Sequence, residues 1–154
     1  MGDVWPHPQA GGEGLSAGLI PLHKLSQWLT YSLIEPLEDA GLHVVGVNDL
    51  TGLAEYRNGG LFIDRGVLRC KHVDMQLRAH RPDAELIIEW RALTIALLDL
   101  LADRLRVRWD VSPETMPLVK ILEGGTWRAG RQIASELRLG GGPPLQIVSD
   151  GTVF

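Results

Sequence analysis

The sequence predicts a mainly α fold: a helical domain with short extended links and an extended C-terminal tail. Two long stretches repeat apolar residues at intervals of three and four, the period that places them on one helix face. The longer of the two, 84–107, is apolar around most of its circumference, as a central helix is. Eighteen glycines and nine prolines among 154 residues cut the remainder into short pieces. Hydrophobic residues make up 45% and charged residues 22%, ordinary globular usage and too apolar for a disordered chain.

Residues 1–20 read as an irregular N-terminal arm, because Pro6, Pro8, Gly11, Gly12, Gly14 and Gly18 interrupt any periodicity. A single helical domain is expected over 21–154. Its first helix spans about Leu22 to Ala40, with Leu22, Leu25, Leu29, Leu33 and Leu37 on one face and Trp28 beside them. Gly41 is a natural stop, and Pro36 predicts a kink or restart. His43 to Val47 is a short strand or a buried link. Within 53–68, Leu53, Tyr56, Gly60, Ile63 and Val67 share a helical face. Gly59 and Gly60 each cost about 1 kcal/mol relative to alanine there, so a backbone or a ligand is expected close by. Residues 71–82 are polar and expected exposed. In the helix of about Ala84 to Val107, Ile87, Trp90, Thr94, Ile95, Leu98 and Leu101 oppose a stripe of Glu85, Glu89, Ala92, Ala96, Asp99 and Asp103. Ser112-Pro113-Glu114 reads as a cap, a first-turn proline and a first-turn acid, opening a helix to Glu123. Gly124-Gly125 is expected to stop it and Thr126 to cap another from Trp127 to Leu139. The tail from Leu145 reads as extended.

Composition excludes several classes of function. A net charge of −4 gives no electrostatic footprint for nucleic acid or anionic lipid. The one cysteine, Cys70, excludes an internal disulfide and a cysteine-based zinc site, and suits the reducing cytoplasm. Its neighbours Arg69 and Lys71 would lower its pKa if it were exposed. The first residues have neither a basic nor an apolar signal region, and Asp99 breaks the most apolar run, Ala92 to Ala102, so neither a signal peptide nor a membrane span is expected. None of the five histidines stands at a spacing that marks a local metal site, so no metal or cofactor is expected.

Four places hold residues suited to chemistry. Arg91 falls on the apolar side of the long helix, where a guanidinium requires a partner; Glu55 or Asp64 are the expected carboxylates. It is either a structural ion pair or an arginine that positions a catalytic acid. Glu55-Tyr56-Arg57-Asn58 groups an acid, a phenol, a guanidinium and an amide beside Gly59-Gly60, as a ligand site or a surface turn at a helix end. Gly124-Gly125-Thr126 before Trp127, Arg128 and Arg131 offers either an anion-binding helix start or a plain stop and cap. Lys24 is an acid, base or anion ligand if buried, and otherwise a snorkelling surface lysine. The five tryptophans read as core or pocket wall.

These stretches carry a resemblance. Pro21 to Leu33, Leu50 to Gly60, Glu89 to Thr94, Leu122 to Trp127 and the terminal Ser149-Asp150-Gly151-Thr152-Val153-Phe154 look like the uracil catabolism protein four family of fungi and bacteria, as does the opening Gly2-Asp3-Val4-Trp5-Pro6-His7-Pro8. The chain resembles the C-terminal part of longer family members, which implies a missing N-terminal domain or a partner chain. More distantly, Lys24 with Gln27, then Ala54-Glu55-Tyr56-Arg57, then Glu89-Trp90-Arg91 are similar in order to a Lys-x-x-Gln helix, an Ala-Asp-Tyr-Arg segment and a Glu-Ile-Arg helix of queuosine-salvage N-glycosidases. Glu55 stands where that family has aspartate.

The resemblance implies a DNA-glycosylase-like helical fold and a small-molecule, nucleotide-like substrate. The reaction it implies is hydrolysis of an N-glycosidic bond in a ribosyl-urea-type intermediate of pyrimidine breakdown, releasing urea and a pentose phosphate. Glu55, Lys24 and Arg91 would be catalytic. Tyr56, Arg57, Asn58, Glu89, Gly124, Gly125, Thr126, Trp127 and Arg128 would bind substrate. The alternatives are an amide or ureido hydrolase that frees urea directly, and a non-catalytic subunit that binds a partner.

Overall fold

A computed structural model describes residues 2–148, and helices dominate it. The terminal hexapeptide motif at 149–154 lies outside the described residues. The arm is not irregular throughout. Val4–Pro6 (β1) and Leu19–Pro21 (β2) pair as an antiparallel ribbon. The glycines and prolines fall between the two strands, where they make the connection.

Helix α1, Lys24–Asp39, runs through Pro36 without a break. Gly41 ends it as expected: at φ 83° it lets its own N–H reach Glu38 O at 2.9 Å and Leu42 N–H reach Leu37 O at 3.0 Å. Helix α2, Tyr56–Asp64, is capped by Glu55, and the short α3 is Asp74–Leu77. Two-residue strands β3, Ala79–His80, and β4, Gln146–Ile147, pair in parallel and bring residues 145–147 beside the start of α4. His80, in the segment expected to be exposed, is buried.

Helix α4, Glu85–Trp109, is central, with Ile87, Trp90, Arg91, Thr94 and Leu98 buried along one side. Two apolar clusters form against it. Leu53, Phe62, Leu98, Ala102, Leu118, Ile121 and Leu122 make one, and Ile87, Trp90 and Leu145 the other. Each such side chain contributes roughly 1.5–3 kcal/mol when fully buried.

The last third differs from expectation at both predicted boundaries. Ser112 does accept a hydrogen bond from Thr115 N–H at 3.3 Å, like a cap. Pro117 then holds the preceding residue away from helical backbone and itself lacks an N–H, so helix α5 begins only at Leu118 and covers Leu118–Ile121. Gly124-Gly125 stops nothing. The backbone passes from α5 through a π-helical turn, Leu122–Trp127, straight into α6, Arg128–Leu137. The wide turn falls at two exposed glycines.

Helix α2 packs on α4 and most closely on α6. A Cβ at Gly130 would lie 2.0 Å from Arg57 O, so only glycine lets α6 approach the start of α2 this closely. The glycine pair of α2 serves packing too. A Cβ at Gly59 would meet Thr94 and Trp90, and one at Gly60 would meet Pro144. Their room is taken by protein, not left for a ligand. No helix among the described residues is long and apolar enough to cross a membrane.

Candidate functional site

A cleft of about 600 Å³ opens between the start of α1, the start of α2 and the π turn leading into α6. Lys24, Leu25, Trp28, Glu55, Tyr56, Arg57, Trp127 and Arg131 line it. Five residues expected from sequence thus converge there: Lys24, Glu55, Tyr56, Arg57 and Trp127.

Glu55 is the best-defined of them. It is 5% exposed, and as the N-cap of α2 its two carboxylate oxygens accept from Arg57 N–H at 2.8 Å and from Asn58 N–H. These are the orphan donors of a helix start, which favour the ionised carboxylate. Burial outweighs them and raises the Glu55 pKa above the ordinary carboxylate value, while the two N–H groups, Lys24 and Arg57 oppose the rise. Lys24, 8% exposed, is shifted the other way. Burial, then repulsion from Arg91, lower its pKa, against the pull of Glu55 and Asp3. The cleft therefore holds a buried acid and a buried ammonium whose protonation states are drawn toward each other, a common mark of acid–base chemistry.

Cations and aromatic rings complete the walls. The Arg57 guanidinium lies 4.7 Å from the Tyr56 ring centre and donates to Gly141 O at 2.5 Å. The Arg131 guanidinium lies 5.6 Å from the Trp127 ring. Stacked guanidiniums of this kind suit planar or anionic groups. A second pocket of about 350 Å³, more apolar, lies beside the cleft and shares Trp28 and Trp127 with it.

Arg91 is buried completely and does not line the cleft. Among the described residues the carboxylate it pairs with is Asp3, not Glu55 or Asp64. Nη1 and Nη2 donate to the two Asp3 oxygens at 2.6 and 2.7 Å, and Nε donates to Ala54 O at 3.1 Å. Asp3 also accepts from Trp5 Nε1 and from Lys24 N–H, each at 2.9 Å. One ion pair thus fixes the peptide before Glu55 and the first residue of α1 together. Burial alone would raise the Asp3 pKa, but Arg91, Lys24 N–H and Trp5 hold it below the ordinary value. Asp64 pairs instead with Arg138, at 2.6 and 2.7 Å.

Other expected site residues lie elsewhere. Asn58 is fully buried, accepting from the Thr126 hydroxyl at 2.8 Å, and this bond ties α2 to the π turn behind the cleft. Gly124, Gly125 and Arg128 are exposed in mid-helix, so no helix start exists there to hold an anion. Cys70 is half-buried, so the exposure on which a lowered pKa depended is not met, and burial raises its pKa. Glu89 points away from the cleft toward His7. Among the described residues, His7, Glu85 and Glu89 form one grouping with metal-ligand spacing, His7 Nε2 standing 3.9 Å and 3.6 Å from the two carboxylates. Gln9 N–H donates to His7 Nδ1 at 3.2 Å, which leaves the ring proton on Nε2, the nitrogen a metal would need bare. The grouping therefore fits an N–H facing two carboxylates better than a metal centre.

The sequence reasoning missed Asp3. A buried arginine demanded a carboxylate, and Asp3 is the lone acid of the opening family-like stretch, but distance along the chain hid the pairing.

Comparison with known proteins places the chain. Residues 1–154 match the family described as "Protein of unknown function (DUF1688)". The chain belongs to this family. It is 47% identical over 139 residues to "Protein urg3" of Schizosaccharomyces pombe, covering 87% of this chain and 34% of that protein. It is 38% identical over 176 aligned positions to "Uracil catabolism protein 4" of Lachancea kluyveri, covering 100% of this chain and 39% of that one. The chain thus spans between a third and two fifths of the length of these family members. No solved structure matches it.

Proposed function

We propose that this family segment carries the active cleft of an N-glycosidic hydrolase in uracil catabolism. The observation that carries the proposal is the buried Glu55 carboxylate facing Lys24 in a cleft walled by aromatic rings and guanidiniums. The name of the Lachancea kluyveri relative and the resemblance of the Lys24, Glu55 and Arg91 segments to nucleoside-type N-glycosidases support the pathway and the reaction class.

The chemistry follows from the groups present. The substrate is a ribosyl-urea-type 5′-phosphate. Its C1–N bond breaks with the electron pair leaving on nitrogen, and positive charge develops on the sugar ring. Glu55 stabilises that charge or attacks C1 as its carboxylate, the form that its two backbone N–H bonds favour against burial. Lys24, its pKa drawn down by burial, donates the proton that the leaving nitrogen takes up. Water then adds its hydroxyl to C1, displacing the Glu55 carboxylate where that had attacked, and its proton returns to Lys24, giving urea and a reducing pentose phosphate. Arg57 and Arg131 meet the phosphate, and Tyr56, Trp28 and Trp127 pack against the sugar and ureido planes. Arg91 acts at one remove, by positioning Ala54–Glu55 and, through Asp3, Lys24.

Urea and reducing sugar assayed together test the reaction, with the Lachancea kluyveri relative and this chain run in parallel on ribosyl-urea 5′-phosphate. Equal amounts of both products are expected. Ammonia, or urea without a reducing sugar, would point to a ureido hydrolase and overturn the proposal.

A further inference from the structure

Helix α1 is turned inside out. Its leucines follow the spacing of a core-facing stripe, yet Leu25, Trp28, Leu29, Leu33 and Leu37 are 39–59% exposed. The side facing the protein is instead Lys24, Gln27, Tyr31 and Ile34, of which only Lys24 is buried. What holds α1 in place is Asp3 on Lys24 N–H and Tyr31, which packs against the Leu53 and Leu98 cluster and donates its hydroxyl to Thr51 O at 2.9 Å. An amphipathic helix with its apolar face to water is a mark of an interface. The stripe also runs into the cleft, because Leu25 and Trp28 belong to both.

We propose that this face docks the part of the family polypeptide that lies outside this chain, and that the docked segment roofs the cleft. The family's lengths argue for that occupant. The chain covers 34% and 39% of two relatives, so the larger part of each lies outside the matched third and is on hand to cover an open face. The outward stripe of α1 is a long apolar face available to it, and it is continuous with the cleft through Leu25 and Trp28. Glu35, Glu38 and Asp39, all exposed at the far end of α1, ask for basic residues on the rim of the docked segment. Covering the stripe shuts the cleft from water on the Leu25–Trp28 side, which strengthens the electrostatics of Glu55 and Lys24. The docking stands independently of the reaction assigned to the cleft.

A photo-crosslinking residue placed in full-length Protein urg3 at the position matching Leu29, and separately at that matching Leu33, tests this. The expected product is an intramolecular crosslink to a peptide outside the matched third. Crosslinks only within the matched third, only to a second copy, or to no protein at all would overturn the proposal. This chain gives a second readout through a dye that fluoresces on exposed apolar surface. Leu29→Asp with Leu33→Asp is expected to cut dye binding severalfold and leave the melting temperature unchanged. A clear fall in melting temperature would show that the stripe packs within this chain, and would equally overturn the proposal. Product assays on the cleft are separate, so failure of one reading leaves the other to stand or fall by its own test.

Discussion

Glu55 and Lys24 set the pH behaviour expected of the site. Burial raises the one and lowers the other, and the mechanism needs Glu55 ionised and Lys24 protonated. The rate should fall on the acid side at a pH above that of an ordinary glutamate, and on the alkaline side below that of an ordinary lysine. A pH profile of kcat/KM in the Lachancea kluyveri relative checks both limbs, and the variant equivalent to Lys24→Met should remove the alkaline limb. The Asp3–Arg91 pair makes a stability prediction. Asp3→Ala removes a hydrogen-bonded carboxylate from a completely buried guanidinium, and should cost about 3–5 kcal/mol in a denaturant melt at neutral pH. The sign of its own pH dependence follows from a folded pKa below the unfolded one. The contribution is present above the ordinary aspartate range and is lost as pH falls through the folded value.

At the scale of elements, sequence patterns located the helices well and their partners poorly. The spans of α1 and α4 and the Gly41 stop were legible because periodicity and a C-terminal glycine are local signals. The grouping of Lys24, Glu55, Tyr56 and Arg57 in one cleft was legible in the same way, as short segments rich in reactive groups. Which way α1 faces was not, because a leucine stripe specifies a covered face without saying what covers it. Gly124-Gly125 misled for a related reason. Two glycines read as a stop, but a glycine also tolerates a π turn, and the following Thr126 is held by Asn58 from another element. Open space surrounds both glycines and neither has a positive φ, so Gly124→Ala and Gly125→Ala should each stabilise the helix by about 0.5–1 kcal/mol. Thermal melts that show a loss of similar size would contradict a continuous helix. Gly130→Ala should act in the opposite sense. Its Cβ meets the Arg57 carbonyl, and about 1–3 kcal/mol of overpacking is expected, with the start of α2 displaced in the cleft wall.

Across the whole molecule, the N-terminal ribbon, α1, α2, α4 and α6 have one common product: an acid and an ammonium buried together and open to a cleft. Asp3, at one end of the described chain, and Arg91, in its central helix, hold the two together from behind. Side-chain chemistry of this kind is invisible to local pattern, since its cause is a contact between segments that only the fold brings near. The central claim is that Glu55 carries the bond cleavage. Single-turnover hydrolysis of ribosyl-urea 5′-phosphate by the Lachancea kluyveri relative, wild type against the variant equivalent to Glu55→Gln, tests it most directly. A loss on the order of 10²-fold or more in the rate of urea and sugar formation, with unchanged circular dichroism, is the predicted result. A folded variant that forms both products at the wild-type rate would contradict it.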